Sequence, residues 1–257
     1  MRNMRVRFSG ETNIGMKRKH NEDSFLIPDY ERVAVVADGM GGHASGEVAS
    51  GMAVASVGEY LQATLEQPIV TWPFKLDTGV RYDTNRLVIA IKHANQRIYE
   101  TAQRDEEKHG MGTTIVAALF NDDRVIVAHV GDSRCYRLRR NQLIQLTEDH
   151  SLLNDYMRMK RLSGEDTGRF TQTNVIVRAL GMKESVQVDT MIDQPQIEDI
   201  YLLCSDGLSG MVTDPQIAEI MRSESDLDNA CDRLIRAAND AGGTDNITAI
   251  LCRIERL

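Results

Sequence analysis

The chain has 257 residues, 42% of them hydrophobic, and a formal net charge of −8 at pH 7. That length suits one large domain or two small ones; with only 5 prolines and no shift in composition, nothing marks a linker. The acidic balance repels polyanions and argues against a nucleic-acid partner. No apolar run approaches bilayer length and the N-terminal residues lack an apolar signal core, so the expected setting is cytoplasmic, without a membrane partner.

The first legible element is "VAVVADGMGGHASGE", residues 33–47, where a β-branched run at 33–38 predicts a buried strand that stops at Asp38 and passes into Gly39, Gly41 and Gly42. A helix is predicted from about 46 to 66, and a second over 86–103, where Leu87, Ala90, Ile91, Ala94, Ile98 and Ala102 form one stripe. Residues 67–85 join them by a connection longer than most, carrying Trp72 and Phe74 either as cover for the core or as a partner-docking surface. Strands follow at 112–120, 124–131 and 133–139, the first two joined by a hairpin turn at "NDD". A strand at 199–205, a helix at 227–240 ended by "GG", and a strand at 246–254 complete the reading. Neighbouring strands joined by tight turns predict antiparallel sheets with helices packed outside. Cys135, Cys204, Cys231 and Cys252 form no CxxC pair and read as reduced core thiols.

Four acids recur where apolar strands end: Asp38 after "VAVVA", Asp132 after "VIVAHVG", Asp206 after "YLLCS", and Asp245 in "GGTDN" just before the last strand. One such acid is ordinarily a turn residue or a helix cap. Four together are harder to explain that way, because carboxylates buried near one another are unfavourable without cations between them. A carboxylate cluster without Cys or His points to Mg²⁺ or Mn²⁺.

The strings "RKHNEDSF", "ADGMGGHASGE", "GTT", "HVGDSR", "LTEDHS", "NVIVRALG", "LLCSDGL" and "GGTDNIT" occur in the order found in the type 2C metal-dependent protein phosphatases, and the chain resembles the bacterial members over about residues 10–254. The resemblance implies an α+β fold, a four-layer α-β-β-α sandwich of two packed antiparallel sheets flanked by helices. It implies a single catalytic domain over residues 1–257 with a flap subdomain at about 150–171, which carries Arg158, Lys160 and Arg161. It also implies hydrolysis of phosphoserine and phosphothreonine in proteins by a water or hydroxide bridging two metals, without a covalent phosphoenzyme. By this resemblance Asp38 is the bridging carboxylate and the Gly39 carbonyl a ligand, while Asp206 and Asp245 complete the second metal. Asp132, with Asp206, is the acid of a third and weaker metal; Glu22 and Asp23 act through bound waters; and Arg18 grips the phosphate. Without the family register, Arg18 would read as a solvated basic residue between Lys17 and Lys19. The implied partners are phosphorylated proteins, a Hanks-type kinase and its targets among them, and the enzyme is expected to be a monomer.

Other phosphatase chemistries lack their residues. A cysteine phosphatase needs an arginine six residues after its nucleophile, and positions 141, 210 and 237 hold Asn, Gly and Ala. The one DxD, Asp226 to Asp228, opens a helix and reads as a cap, and no P-loop string is present. A catalytically dead relative that binds phosphoproteins would have lost metal acids, and a two-metal nuclease is opposed by the negative charge. Where many eukaryotic relatives carry a histidine after Asp-Gly, this chain has Met40; His43, three residues on, is expected to fix the turn or the start of the following helix, with a metal-held water rather than His43 as the general acid.

Overall fold

The computed structural model describes residues 4–41, 45–66, 74, 77–152, 154 and 176–257. Its strands are β1 (Met4–Asn13), β2 (Asp23–Leu26), β3 (Val33–Met40), β4 (Gly112–Thr113), β5 (Ile115–Phe120), β6 (Val125–Val130), β7 (Arg134–Arg139), β8 (Gln142–Gln145), β9 (Asp189–Asp193), β10 (Ile200–Cys204) and β11 (Ile247–Arg256). Its helices are α1 (Ser45–Glu66), α2 (Tyr82–Arg104), α3 (Asp206–Ser209), α4 (Asp214–Ser223) and α5 (Leu227–Asp240). The strands form two antiparallel sheets, one in the order β1-β11-β10-β7-β8 and the other β2-β3-β5-β6-β9, with β4 paired to the end of β3.

Each sheet is buried on both faces, which is why its central strands read as continuous apolar runs rather than as alternating ones. In β3, Val33, Val35 and Ala37 meet α1 and α2, while Ala34 and Val36, with Val116 and Val127 of the same sheet, face Cys135, Tyr201, Leu203, Ile250 and Cys252 of the opposite sheet. In the other sheet, Leu202, Cys204, Ala249 and Leu251 pack under Leu208, Ile217, Leu227 and Leu234 of α3, α4 and α5. The layers therefore run helix, sheet, sheet, helix, as expected for the α-β-β-α sandwich. All four cysteines are free and buried.

Several boundaries differ from the sequence reading. The predicted strand 112–120 is two strands separated at Thr114, whose backbone turns to bond Asp38. Helix α2 starts at Tyr82, four residues before the predicted position, which shortens the connection from α1; Phe74 in it is half-buried. Trp72, Gly42, His43 and most of the predicted flap, with Arg158, Lys160 and Arg161, lie outside the described residues. Among the described residues no helix is long and apolar enough to cross a membrane.

Candidate active site

The predicted acids gather at one end of the sandwich. Asp38 is largely but not fully buried and is held near Asp23, Asp206, Asp132 and Asp245. Asp23 lies opposite Asp38 across the β2–β3 ladder. Asp132 sits in the turn between β6 and β7, Asp206 is the first residue of α3, and Asp245 lies in the loop before β11. Arg18 reaches the rim and donates to Asp245 Oδ2 at 2.6 Å, with Glu22 and Asp38 also in its field.

Asp38 is not at a strand tip, as the sequence suggested, but inside β3, which continues through Met40 by pairing with β4. Two threonines hold its backbone. The Asp38 N–H donates to Thr114 Oγ1 at 3.1 Å, and its carbonyl accepts from Thr114 N at 2.9 Å and from Thr113 Oγ1 at 2.9 Å. Gly39 likewise serves close approach rather than a turn. A Cβ there would lie 2.1 Å from the Gly46 carbonyl oxygen and 2.5 Å from that of Glu22, to which Gly39 N donates at 3.0 Å. No other residue fits between α1 and the loop that carries Glu22.

Further polar side chains assemble the site without being among its predicted residues. Asn246 accepts from Glu22 N at 2.8 Å and donates to the carbonyls of Ile14 and His20 at 2.9 Å each, fixing the loop that carries Arg18 and Glu22 to the start of β11. Asp23 Oδ2 accepts from Ser205 Oγ at 2.8 Å and from Thr248 Oγ1 at 2.7 Å. These residues stand inside the quoted strings "GTT", "CSD" and "TDNIT", so the signal was present, but hydroxyls and amides do not announce which acid they serve.

The acids are unfavourably placed as anions. Burial first, and then Asp206 and Asp149, push the Asp132 carboxyl up to about 7. Burial pushes Asp23 up to about 6 against the two hydroxyl donors that favour its anion, with Asp206 and Asp245 adding to the rise. Burial and the neighbouring Asp23, Asp206 and Asp132 raise Asp38 well above the usual carboxylate range. Asp206 is raised by burial and by Asp245, opposed by a hydrogen bond with Asp38. Among the described residues no three acidic, His or Cys side chains have the spacing of a finished metal site; Asp38 and Asp206 bond each other, and Asp245 bonds Arg18. The donor set nonetheless fits hard divalent cations. It is all oxygen, it is crowded with like charge, and Asp23 Oδ1 and Asp132 Oδ1 are buried with no hydrogen-bond partner.

Comparison with known proteins agrees with the motifs. The model of the protein phosphatase 2C family matches residues 16–252. The serine/threonine phosphatase stp of Listeria welshimeri is 40% identical over 243 residues, covering 93% of this chain and 92% of its own. Among solved structures, the serine/threonine phosphatase PstP/Ppp of Mycobacterium tuberculosis superposes with a TM-score of 0.84 at 33% identity, covering 98% of this chain and 99% of that one. A structure of the PstP catalytic domain in complex with two manganese ions gives a TM-score of 0.81 at 31% identity, covering 98% of this chain and 99% of that one. The chain belongs to the protein phosphatase 2C family, in its bacterial form, and is a serine/threonine phosphatase.

Proposed function

We propose that this chain is one catalytic domain, with a flap at about 150–171, that hydrolyses phosphoserine and phosphothreonine in proteins with two divalent cations, Mn²⁺ or Mg²⁺, in its acidic cluster. The observation that carries the reading is Asp38, largely buried among Asp23, Asp132, Asp206 and Asp245, with Arg18 at the rim. Such a cluster is unfavourable by itself and becomes favourable around cations. Asp38 would serve both ions, the Gly39 carbonyl would be a ligand of one, Asp206 and Asp245 would complete the other, and Asp132 with Asp206 would hold a third, weaker one. Glu22 and Asp23 orient waters. Bound there, the metals supply Lewis acidity and an activated water for in-line attack on phosphorus.

The protein's own part is orientation and charge. Arg18 is half-exposed and its planar fork suits two phosphate oxygens; with Asp245 engaged by a cation, Arg18 would be free for the substrate phosphate. Asp38 is locked by Thr113 and Thr114, so it need not reorganise as charge builds. The substrates we infer are targets of a Hanks-type kinase, met in the cytoplasm by a monomeric enzyme without nucleic acid or membrane.

The test is release of phosphate from a phosphothreonine peptide with and without Mn²⁺ or Mg²⁺. Activity should require the metal and vanish in Asp38→Ala; full turnover in excess chelator would exclude the reading. A dead, phosphoprotein-binding relative would instead bind the peptide without turnover under every metal condition.

A further inference from the structure

His150 grips the backbone of Gly131 on both sides of its Cα. Its backbone N–H donates to the Gly131 carbonyl at 2.9 Å, and its ring Nδ1 accepts from the Gly131 N–H at 3.0 Å. Gly131 immediately precedes Asp132, whose Oδ1 is buried and unpartnered. On its far side the same turn rests on the threonine that locks Asp38: a Cβ on Gly131, at φ +109°, would lie 2.6 Å from Thr114 Cβ, and Thr114 Oγ1 is 2.7 Å from Ser133 Oγ. The clamp is itself anchored, because Arg134 bonds Asp149 at 2.7 Å and the His150 carbonyl accepts from Val177 N at 2.9 Å.

A backbone N–H can only donate, so Nδ1 must be bare, and a neutral ring then carries its proton on Nε2. Nε2 faces Asp189 Oδ2 at 3.1 Å, the acceptor this tautomer needs. Arg178 Nη1 lies 3.1 Å from the same nitrogen, but a guanidinium only donates and gains nothing from an Nε2–H; in this tautomer its bond goes to Asp189 Oδ1 at 3.0 Å, so Asp189 accepts from both groups. His129 stacks on His150 with centroids 4.6 Å apart and bonds the Glu148 carbonyl at 2.8 Å. Burial and His129 lower the tendency of His150 to become charged, in line with that tautomer.

We propose that His150, as the neutral Nε2–H tautomer, is a positioning residue for Asp132: it holds the Gly131 peptide so that the Asp132 carboxylate stays aimed at the weakest cation. This rests on the metal role given to Asp132 above. The acceptor at Nδ1 is the feature that matters, and two substitutions separate it from the rest of the ring. Asn puts its amide oxygen near Nδ1 and keeps the bond from Gly131. Gln reaches the Nε2 position and keeps only the contact with Asp189.

The experiment compares the full chain with His150→Asn, His150→Gln and Asp132→Ala by Mn²⁺ calorimetry and by ¹⁵N NMR of the Mg²⁺-loaded protein. His150→Gln should lose about 10–100-fold in affinity at the weakest Mn²⁺ site, the range for losing a group that orients a ligand, with the tighter sites unchanged. His150→Asn should stay close to wild type. The wild-type imidazole should show a bare Nδ1, and the Gly131 amide should exchange slowly in wild type and His150→Asn but fast in His150→Gln. A protonated Nδ1 in the wild type, which needs no variant to fold, would overturn the clamp while leaving Asp132 its metal. Equal losses in the Asn and Gln variants would also overturn it. A weak site that survives in Asp132→Ala would instead overturn the metal role of Asp132, and with it the link from His150 to catalysis.

Discussion

Replacing Asp132 by Asn should make the metal-free protein more stable at pH 8 and the enzyme worse. Asp132 is 8% exposed, and burial with Asp206 and Asp149 raises its carboxyl from the ordinary 3.8 to about 7. At about 1.4 kcal/mol per pKa unit, the charged form is disfavoured by about 4 kcal/mol once the pH is above 7. The sign follows from proton linkage. A carboxyl that titrates higher when folded stabilises the fold fully below its unfolded pKa, and loses that contribution as pH rises toward and past about 7. Asn is the same size and carries no charge, so it removes this loss, while its buried amide gives back about 1–3 kcal/mol for lack of partners. The variant is therefore expected to be about 1–3 kcal/mol less stable than wild type around pH 4 and about 1–3 kcal/mol more stable at pH 8, the latter about 2–12 °C in Tm for a domain of this size. The assay is thermal and urea unfolding of the stripped protein in chelator at pH 5 and pH 8, wild type against variant. With Mn²⁺ restored, turnover of a phosphothreonine peptide should fall. A variant no more stable than wild type at pH 8, or equally stabilised at both pH values, would refute the reasoning that Asp132 is held as a frustrated acid.

Arg18→Ala should lower kcat/KM on a phosphopeptide by about 10–100-fold, the worth of a charge-assisted hydrogen bond pair. Mn²⁺ affinity by calorimetry should be unchanged or slightly tighter, since Asp245 loses a competitor; a large loss would contradict a role on phosphate. Gly39→Ala must push its Cβ into the Gly46 and Glu22 carbonyls, and should cost about 3 kcal/mol or more, or prevent folding, as read by denaturant unfolding; a wild-type midpoint would disprove the close approach. His43→Ala, outside the described residues, should lose less than about tenfold in kcat, because general acids contribute about 10²–10⁴-fold. A hundredfold loss with metals bound and the fold intact would make His43 the acid.

The sequence by itself determined the central strands, the long helices and the identity of the acids. Val33–Ala37, Ile115–Phe120 and Ile200–Cys204 are buried on both faces, so their runs are apolar without alternation and hard to misread. The same physics hid the edges. β1, with Arg5, Arg7 and Ser9 along it, and β8 and β9 were not predicted, because a strand at a sheet margin keeps polar and charged residues. Asp226 was legible as a cap and does accept from Asp228 N and Asn229 N, since capping is local. What only the tertiary structure decided is everything that depends on segments far apart in the chain. Asp38 looked like the end of a strand because Gly39 and Gly41 break the apolar run, yet β4, more than 70 residues later, carries the strand on through Met40. Gly39 read in the sequence only as a carbonyl beside Asp38, and the tertiary structure adds why it must be glycine: the Gly46 and Glu22 carbonyls are pressed against it. Asn246 tying down the Arg18 loop, Thr114 holding Asp38, and His150 clamping Gly131 rest on hydrogen bonds between residues 19 to more than 200 positions apart. No local periodicity encodes such pairings, because they exist only once the two sheets have closed on each other.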